Sequence, residues 1–396
     1  MDVKAIGRVV GTERKPNTPH EFHFWTGADS DVGIGALVKV VIEAPRAVTV
    51  YGIVVDGASY TDLQTALHDY IGLEGDPELP DQSPTERPEI RLYTAAVLRH
   101  EPPEPLQPVP SGCVYLASDE DVRIALRMDT YARPGGTGIP AGIYVTGTQR
   151  APVYLDADFL LGPEAAHLNI TGVSGLATKT SAVLFLLAAI FEHLNADKGT
   201  VAALCFNVKG PDLLFLDQAA ELTDDDRDMY QCLAVPPLPF RNVRYFAPYK
   251  PDGYNLNTLR TNDELCANVQ PLVWGLEQIL KFAEVLLTRE DVDAKADALI
   301  EFIRERVIGR EFGPEQGTHQ RHTVRTFQEL ERWFDDVLHT CEQNNRESFR
   351  THHVATIRKV RNRLLNLSTR AKGLVANDTS VSDLPWGTFE DRAVYV

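Results

Sequence analysis

Asn169-Ile170-Thr171-Gly172-Val173-Ser174-Gly175-Leu176-Ala177-Thr178-Lys179-Thr180-Ser181 runs directly into Ala182-Val183-Leu184-Phe185-Leu186-Leu187-Ala188-Ala189-Ile190. His167–Thr171 fits a short buried strand, Gly172 and Gly175 break it, and the apolar run from Ala182 is a strong helix former. Strand, glycine turn, Lys-Thr and helix is the order that cradles the phosphates of a nucleotide. Backbone N–H groups wrap the anion, the helix N-terminus adds a favourable partial charge, and a lysine neutralises the outer phosphates. The candidate cofactor-binding residues are therefore Gly172, Val173, Ser174, Gly175, Leu176, Ala177, Thr178, Lys179, Thr180 and Ser181. The spacing is irregular: Gly172 to Lys179 is one residue longer than the usual loop, and Thr178 stands where a glycine belongs. Threonine tolerates positive φ badly, so the loop either takes a different path or is a degraded site. The same residues also fit a plain strand-to-helix turn that needs glycine and happens to be followed by Lys-Thr-Ser.

Upstream of this stretch the pattern is β. Ala5–Gly11, Glu21–Trp25, Ala36–Ile42 and Ala47–Val55 are valine-rich runs punctuated by Gly, Pro, Asn and Asp, and their spacing suggests a small barrel. Thr61–Ile71 fits a helix, Glu74–Pro88 an exposed acidic loop and Ile90–Leu98 a return to strand. Cys113–Ala117 and Gly142–Thr146 read as further strands with a short helix between Asp119 and Arg127, so the first module spans 1–150.

Ala151–Asp156 is read as opening a second module over 151–260 that holds the phosphate loop, a following strand at Thr200–Val208 and a third at Val243–Ala247. A β–α–β unit of this kind implies a right-handed crossover and a parallel sheet. Leu213–Asp217 is apolar and ends in an acid, and could mimic a magnesium-binding Asp after a strand; the short spacing after the previous strand speaks against it. Over 261–385 apolar residues return at helical period in four sets: Leu272 to Leu287, Ala298 to Val307, Phe327 to Val337 and Val354 to Leu367. Residues 386–396 leave this helical module, and Arg392–Val396 starts a further strand.

A chain of 396 residues exceeds one ordinary core. Its net charge of −17 argues against a surface broadly coated for nucleic acid or an anionic membrane, without excluding a local basic channel. The five cysteines are scattered with no CxxC pair, as expected of reduced, mostly buried thiols. No signal peptide begins at Met1, and Ala182–Ile190 is too short to span a bilayer, so no membrane partner and a cytoplasmic location are expected.

Two other groups of residues carry possible chemistry. Arg358, Lys359, Arg361, Arg363, Arg370 and Lys372 crowd one predicted helix with no intervening acid. They suit DNA phosphates, the acidic face of a neighbouring subunit, or a solvated basic face. His319 and His322 sit at i, i+3 and could chelate a metal, but no cysteine or carboxylate stands at ligand spacing, so structural or surface histidines are favoured.

The order of these parts resembles the HerA family of hexameric ATPases. The resemblance is carried by Ile6-Gly7-Arg8-Val9, Thr18-Pro19-His20-Glu21-Phe22 and Thr49-Val50-Tyr51-Gly52-Ile53-Val54 in the barrel, then Pro152–Asp156, Gly162-Pro163-Glu164, the Ala-Thr-Lys-Thr-Ser ending of the loop and the helical insertion. It implies an α/β fold with an N-terminal HAS-type β-barrel, an incomplete RecA-like P-loop parallel sheet and a large helical insertion. It also implies ATP and Mg²⁺ as cofactors, a homo-hexamer, double-stranded DNA in the central pore, and a nuclease or other effector docked on the barrel. Lys179 would serve catalysis at the β/γ-phosphates and Thr180 would bind magnesium. The family segment matching Cys205–Gly210 commonly has Asp where Asn207 stands, and the family's Walker B strand and trans-acting arginine have no counterpart before Val396. The expectation is a fragment, or a split or truncated subunit, of an ATP-driven DNA motor in DNA processing or anti-phage defence. On its own it would bind nucleotide and hydrolyse it poorly. The competing expectation is a nucleotide-binding scaffold with little or no ATPase activity.

Overall fold

The computed structural model describes residues 4–27, 30–43, 47–61, 65–78, 89–103, 107–147, 149–162, 166–172, 178–194, 199–208, 211–248, 260, 262–287, 293–309, 311–312, 322–371, 373–375 and 385–396. The chain forms two compact units. One comprises Met1–Lys198 with Leu222–Pro237, the other Gly199–Glu221 with Leu238–Val396.

In the first unit, β1 (Gly7–Val9), β2 (Glu21–Thr26), β3 (Leu37–Ile42), β4 (Val48–Tyr60), β5 (Ile90–Glu101) and β6 (Cys113–Leu116) close an antiparallel barrel in the order β1-β2-β5-β4-β3-β6. Strand alternation decides what it encloses. Val38 and Val40 of β3 face the interior with Phe22, Phe24, Val50, Val54, Ala95 and Val114, while Leu37 faces outward into a second cluster with Tyr51, Ala117, Val122 and Ala125. Gly52 is required here: a Cβ would lie 2.8 Å from the Phe22 ring, and the β4–β5 register shifts beside it. Helix α1 (Ala66–Gly72) lies in the β4–β5 connection, starting later than the run Thr61–Ile71 suggested.

The barrel is complete at β6. Helices α2 (Asp119–Ala125) and α3 (Met128–Tyr131) follow. The Gly142–Thr146 strand is part of β7 (Gly138–Thr146), which pairs antiparallel with β8 (Gln149–Asp156) rather than joining the barrel. Ala151–Asp156, read as opening the second module, is thus the second arm of a hairpin. Its tie to the barrel is Tyr144, whose hydroxyl donates to Gly35 O (2.8 Å) and accepts from Leu37 N (3.1 Å). Helices α4 (Ala157–Leu161), α5 (Thr178–His193) and α6 (Asp224–Leu233) complete the unit. The Asp224-Asp225-Asp226 run starts α6, capped by a reciprocal pair in which Asp226 N donates to Thr223 Oγ1 (3.2 Å) and Thr223 N to Asp226 Oδ2 (2.9 Å).

The second unit contains β9 (Ala203–Leu204), β10 (Val243–Pro248), α7 (Asp263–Cys266), β11 (Val269–Leu272), α8 (Leu276–Lys281), α9 (Ala283–Leu286) and α10 (Ala294–Arg306). Then come the short pair β12 (Glu311–Phe312) and β13 (His322–Thr323), α11 (Phe327–Gln343), the pair β14 (Ser348–Phe349) and β15 (His352–His353), α12 (Val354–Arg370) and β16 (Val394–Tyr395). A four-stranded sheet runs in the order β11-β10-β16-β9, and every pairing within it is parallel. The strand read at Arg392–Val396 takes an interior position in that sheet, where Val394 and Tyr395 are fully buried.

Two expectations change here. Thr200–Val208, read as a buried strand, contributes only Ala203 and Leu204 to the ladder, and Phe206 and Val208 are 77% and 91% exposed. Among the described residues β9 pairs on one side alone, with β16, as the edge strand of the sheet. The apolar set Leu272–Leu287 is not one helix. Leu272 ends β11, Gly275 caps α8 and the helix breaks at Phe282 into α8 and α9. The other helical stripes hold: Leu299, Ile303 and Val307, Phe327, Leu330, Trp333, Phe334 and Val337, and Ile357, Val360 and Leu364 share one core with Leu276, Ile279, Leu280, Ala283 and Leu287.

Candidate phosphate-binding site

Thr178, Lys179, Thr180 and Ser181 form the first turn of α5, a sixteen-residue helix. The helix forms because Ala, Leu and Phe dominate it from Ala182 onward. Its far end is buried at Ala189, Ile190 and Phe191, and His193 Nε2 meets Ala234 O at 3.1 Å in the last turn. Phe185 packs on Tyr230 of α6 with ring centroids 6.0 Å apart. The helix is therefore anchored toward its carboxyl end. No acid stands in that first turn, so no carboxylate there offsets the partial positive charge of the helix start.

Lys179 is exposed, and its Nζ donates to Gly172 O at 3.1 Å. This bond spans seven positions of the chain and brings the ammonium to Gly172. Thr180 is half-buried and Ser181 exposed. Val173, Ser174, Gly175, Leu176 and Ala177 lie outside the described residues, as does the side chain of Thr178.

The strand expected before the loop is not formed. Residues 166–172 belong to no strand, and all of them but Ile170 are exposed. His167, Asn169 and Thr171 alternate with Leu168 and Ile170, whereas a parallel strand buried on both faces needs a near-continuous apolar run. Asn207 is exposed beyond β9 and belongs to the second unit.

Asp217 proves to be structural. The 211–217 segment is a turn, not a strand, and the carboxylate accepts from Arg260 at 2.8 Å (Nη1 to Oδ1) and 2.7 Å (Nη2 to Oδ2). Arg260 has no exposed side-chain surface. Its remaining donors reach Leu265 O, Leu214 O and Asn268 Oδ1, so all five N–H groups are satisfied. The guanidinium also lies 4.3 Å from the Tyr245 ring centroid. Burial works to raise the Asp217 carboxyl, but the bonds from Arg260 and Asn268 outweigh it and hold its pKa below the usual value. Burial, followed by the Asp217 charge, pushes the Tyr245 phenol up to about 12. Sequence reading misses this cluster because its members are dispersed from Asp217 to Asn268 with no repeating spacing.

Three of the six basic residues from Arg358 to Lys372 are paired with acids of their own unit. Arg358 meets Glu342 at 2.7 Å, Lys359 meets Asp293 at 2.5 Å and Arg361 meets Asp335 at 2.9 Å. Among the histidines, His322 lies in β13 rather than on a helix, His352 is buried, and His353 caps α12 by accepting from Ala355 N. His319 and Lys372 lie outside the described residues. Among the described residues no group of three or more His, Cys, Asp or Glu gathers as a metal site. Cys341 is buried and the other four cysteines are half-buried, so the thiols are less enclosed than expected. Among the described residues no helix is long and apolar enough to cross a membrane.

No protein-family model matches the chain, and no curated protein matches it in sequence.

Proposed function

We propose that the chain is the nucleotide-binding part of a HerA-like, RecA-type DNA motor, with ATP as its ligand. The observation that carries this reading is the Lys179–Gly172 bond at the acid-free first turn of α5. A lysine in the first turn of a helix, bonded to the glycine that opens the loop sequence, is suited to a triphosphate. The succession of closed barrel, Lys-Thr-Ser helix, parallel sheet and helical core supports it further.

In this reading Lys179 leaves the Gly172 carbonyl and neutralises the outer phosphates, while the first-turn amides of α5 orient them. Magnesium bound to those phosphates would offset charge developing in phosphoryl transfer, and the Thr180 hydroxyl would be its protein ligand. The assembly would be a cytoplasmic homo-hexamer around double-stranded DNA, with a nuclease or other effector on the barrel.

A second reading is a nucleotide-binding scaffold that turns over little or no ATP. The ion pairs that tie Arg358, Lys359 and Arg361 to acids of their own unit favour it, since they offset the charge of half of the densest basic run. ATP binding and hydrolysis by wild type and Lys179→Ala, with and without duplex DNA, separate the readings. DNA-stimulated turnover lost in the variant supports the motor. Binding that depends on Lys179 without turnover supports the scaffold. Equal ATP binding by both chains refutes both.

A further inference from the structure

Helix α1 is hydrogen-bonded but uncovered. Every residue from Ala66 to Gly72 is exposed, and Leu67, Tyr70 and Ile71 retain 60%, 64% and 62% of their surface. These three stand at i, i+3 and i+4, so they form one apolar face. The helix end is well built: Leu73 N donates to Asp69 O (3.0 Å), and Gly75 N to Tyr70 O (2.9 Å). Gly75 has φ +78°, and a Cβ there would lie 2.9 Å from Tyr70 Oη, so the glycine lets the chain turn back beneath the ring. Seven residues are too few to hold a helix in water unaided, where about 12–15 are needed, and packing of an apolar face normally supplies the difference. Here the described residues leave well over half of each of the three side chains exposed.

The surroundings select what can supply it. Asp69, Glu74, Asp76 and Glu78 are exposed on and just beyond the helix. The whole connection from Thr61 to Glu89 holds eight acids against one arginine. An acidic border repels nucleic acid and anionic lipid and attracts a cationic partner. We propose that the Leu67-Tyr70-Ile71 face docks a helical segment of another protein whose apolar side chains are flanked by lysine and arginine. The apolar centre gives cover, and the acidic rim sets the choice of partner. The proposal is independent of the nucleotide site and stands or falls apart from it.

The test uses the full chain, a labelled amphipathic Leu/Lys helical peptide, a Leu/Glu peptide of equal hydrophobicity, and phosphatidylcholine vesicles. Fluorescence anisotropy at physiological salt reads the peptides, and co-sedimentation reads the vesicles. The expected result is Leu/Lys binding about ten-fold or more tighter than Leu/Glu. That binding weakens at least about ten-fold in Leu67→Ser/Ile71→Ser, a truncation of two central anchors. Both side chains are exposed, so the variant should keep the wild-type melting temperature, which is measured alongside. Four results overturn the proposal: equal affinity for the two peptides, undiminished binding by the double variant, vesicle binding without peptide binding, and self-association of wild type that the variant abolishes.

Discussion

Asp217→Asn is the sharpest probe of the second unit. The substitution keeps the shape of the side chain but removes its charge and turns one acceptor into a donor that faces Arg260 and Asn268. Wild-type Asp217 takes two bonds from Arg260 and one from Asn268 Nδ2 at 3.0 Å. The variant therefore leaves a guanidinium with no exposed surface lacking its counter-charge. Breaking a buried pair from one side costs about 3–5 kcal/mol. At about 2–4 °C per kcal/mol for a unit of this size, the melting temperature should drop by roughly 6–20 °C. Trp274, Trp333 and Trp386 all belong to that unit, so fluorescence during urea unfolding reports on it. The pH dependence supplies a second check. The folded carboxyl has a lowered pKa, so its stabilisation is present above the unfolded value of about 3.9 and is lost as pH falls through the folded one. The gap between wild type and variant should be flat at neutral pH and shrink below about pH 4. A cost under about 1 kcal/mol, or a gap that widens in acid, refutes the assignment of Asp217 as the anchor of Arg260.

Three further outcomes follow from the first unit. Gly52→Ala should destabilise the barrel by about 1–3 kcal/mol, because its methyl group enters the space of the Phe22 ring, and chemical denaturation measures it. Thr223→Ala removes the hydroxyl that accepts from Asp226 N, and should cost about 1 kcal/mol with faster amide exchange at the start of α6. Lys39→Met takes away the 2.7 Å partner of Asp121, a carboxyl that burial tends to raise but that Lys39 and Ser118 hold below its usual pKa. The loss should be about 1.5–3 kcal/mol at neutral pH and fade as pH falls below about 3.9, and paired pH titrations of the melting temperature test the sign.

Much of the barrel and of the helical core could be read directly. Alternating valines at Val38 and Val40 place one side of β3 inside, and Phe327, Leu330, Phe334 and Val337 mark a helix face, because strand and helix periods are local properties of the chain. The start of α5 at Thr178 follows the same logic. The absence of a strand at 167–171 is not legible in the sequence, because five residues carry no information about whether a neighbour lies alongside. Leu213–Asp217 was ambiguous for a similar reason: an acid after an apolar run has the same sequence whether it faces a metal or a buried arginine.

The sequence by itself determined the periodic elements, the turn glycines, the acidic balance and the Lys-Thr-Ser entry to a helix, since each depends on residues close together in the chain. Only the tertiary structure decided that β7 and β8 pair with each other, that Val394 and Tyr395 lie between β10 and β9, and that Asp217 belongs to Arg260. Those outcomes depend on which distant segments meet, and pairing across long stretches of chain is set by burial and by the need to satisfy every enclosed polar group, not by local preference.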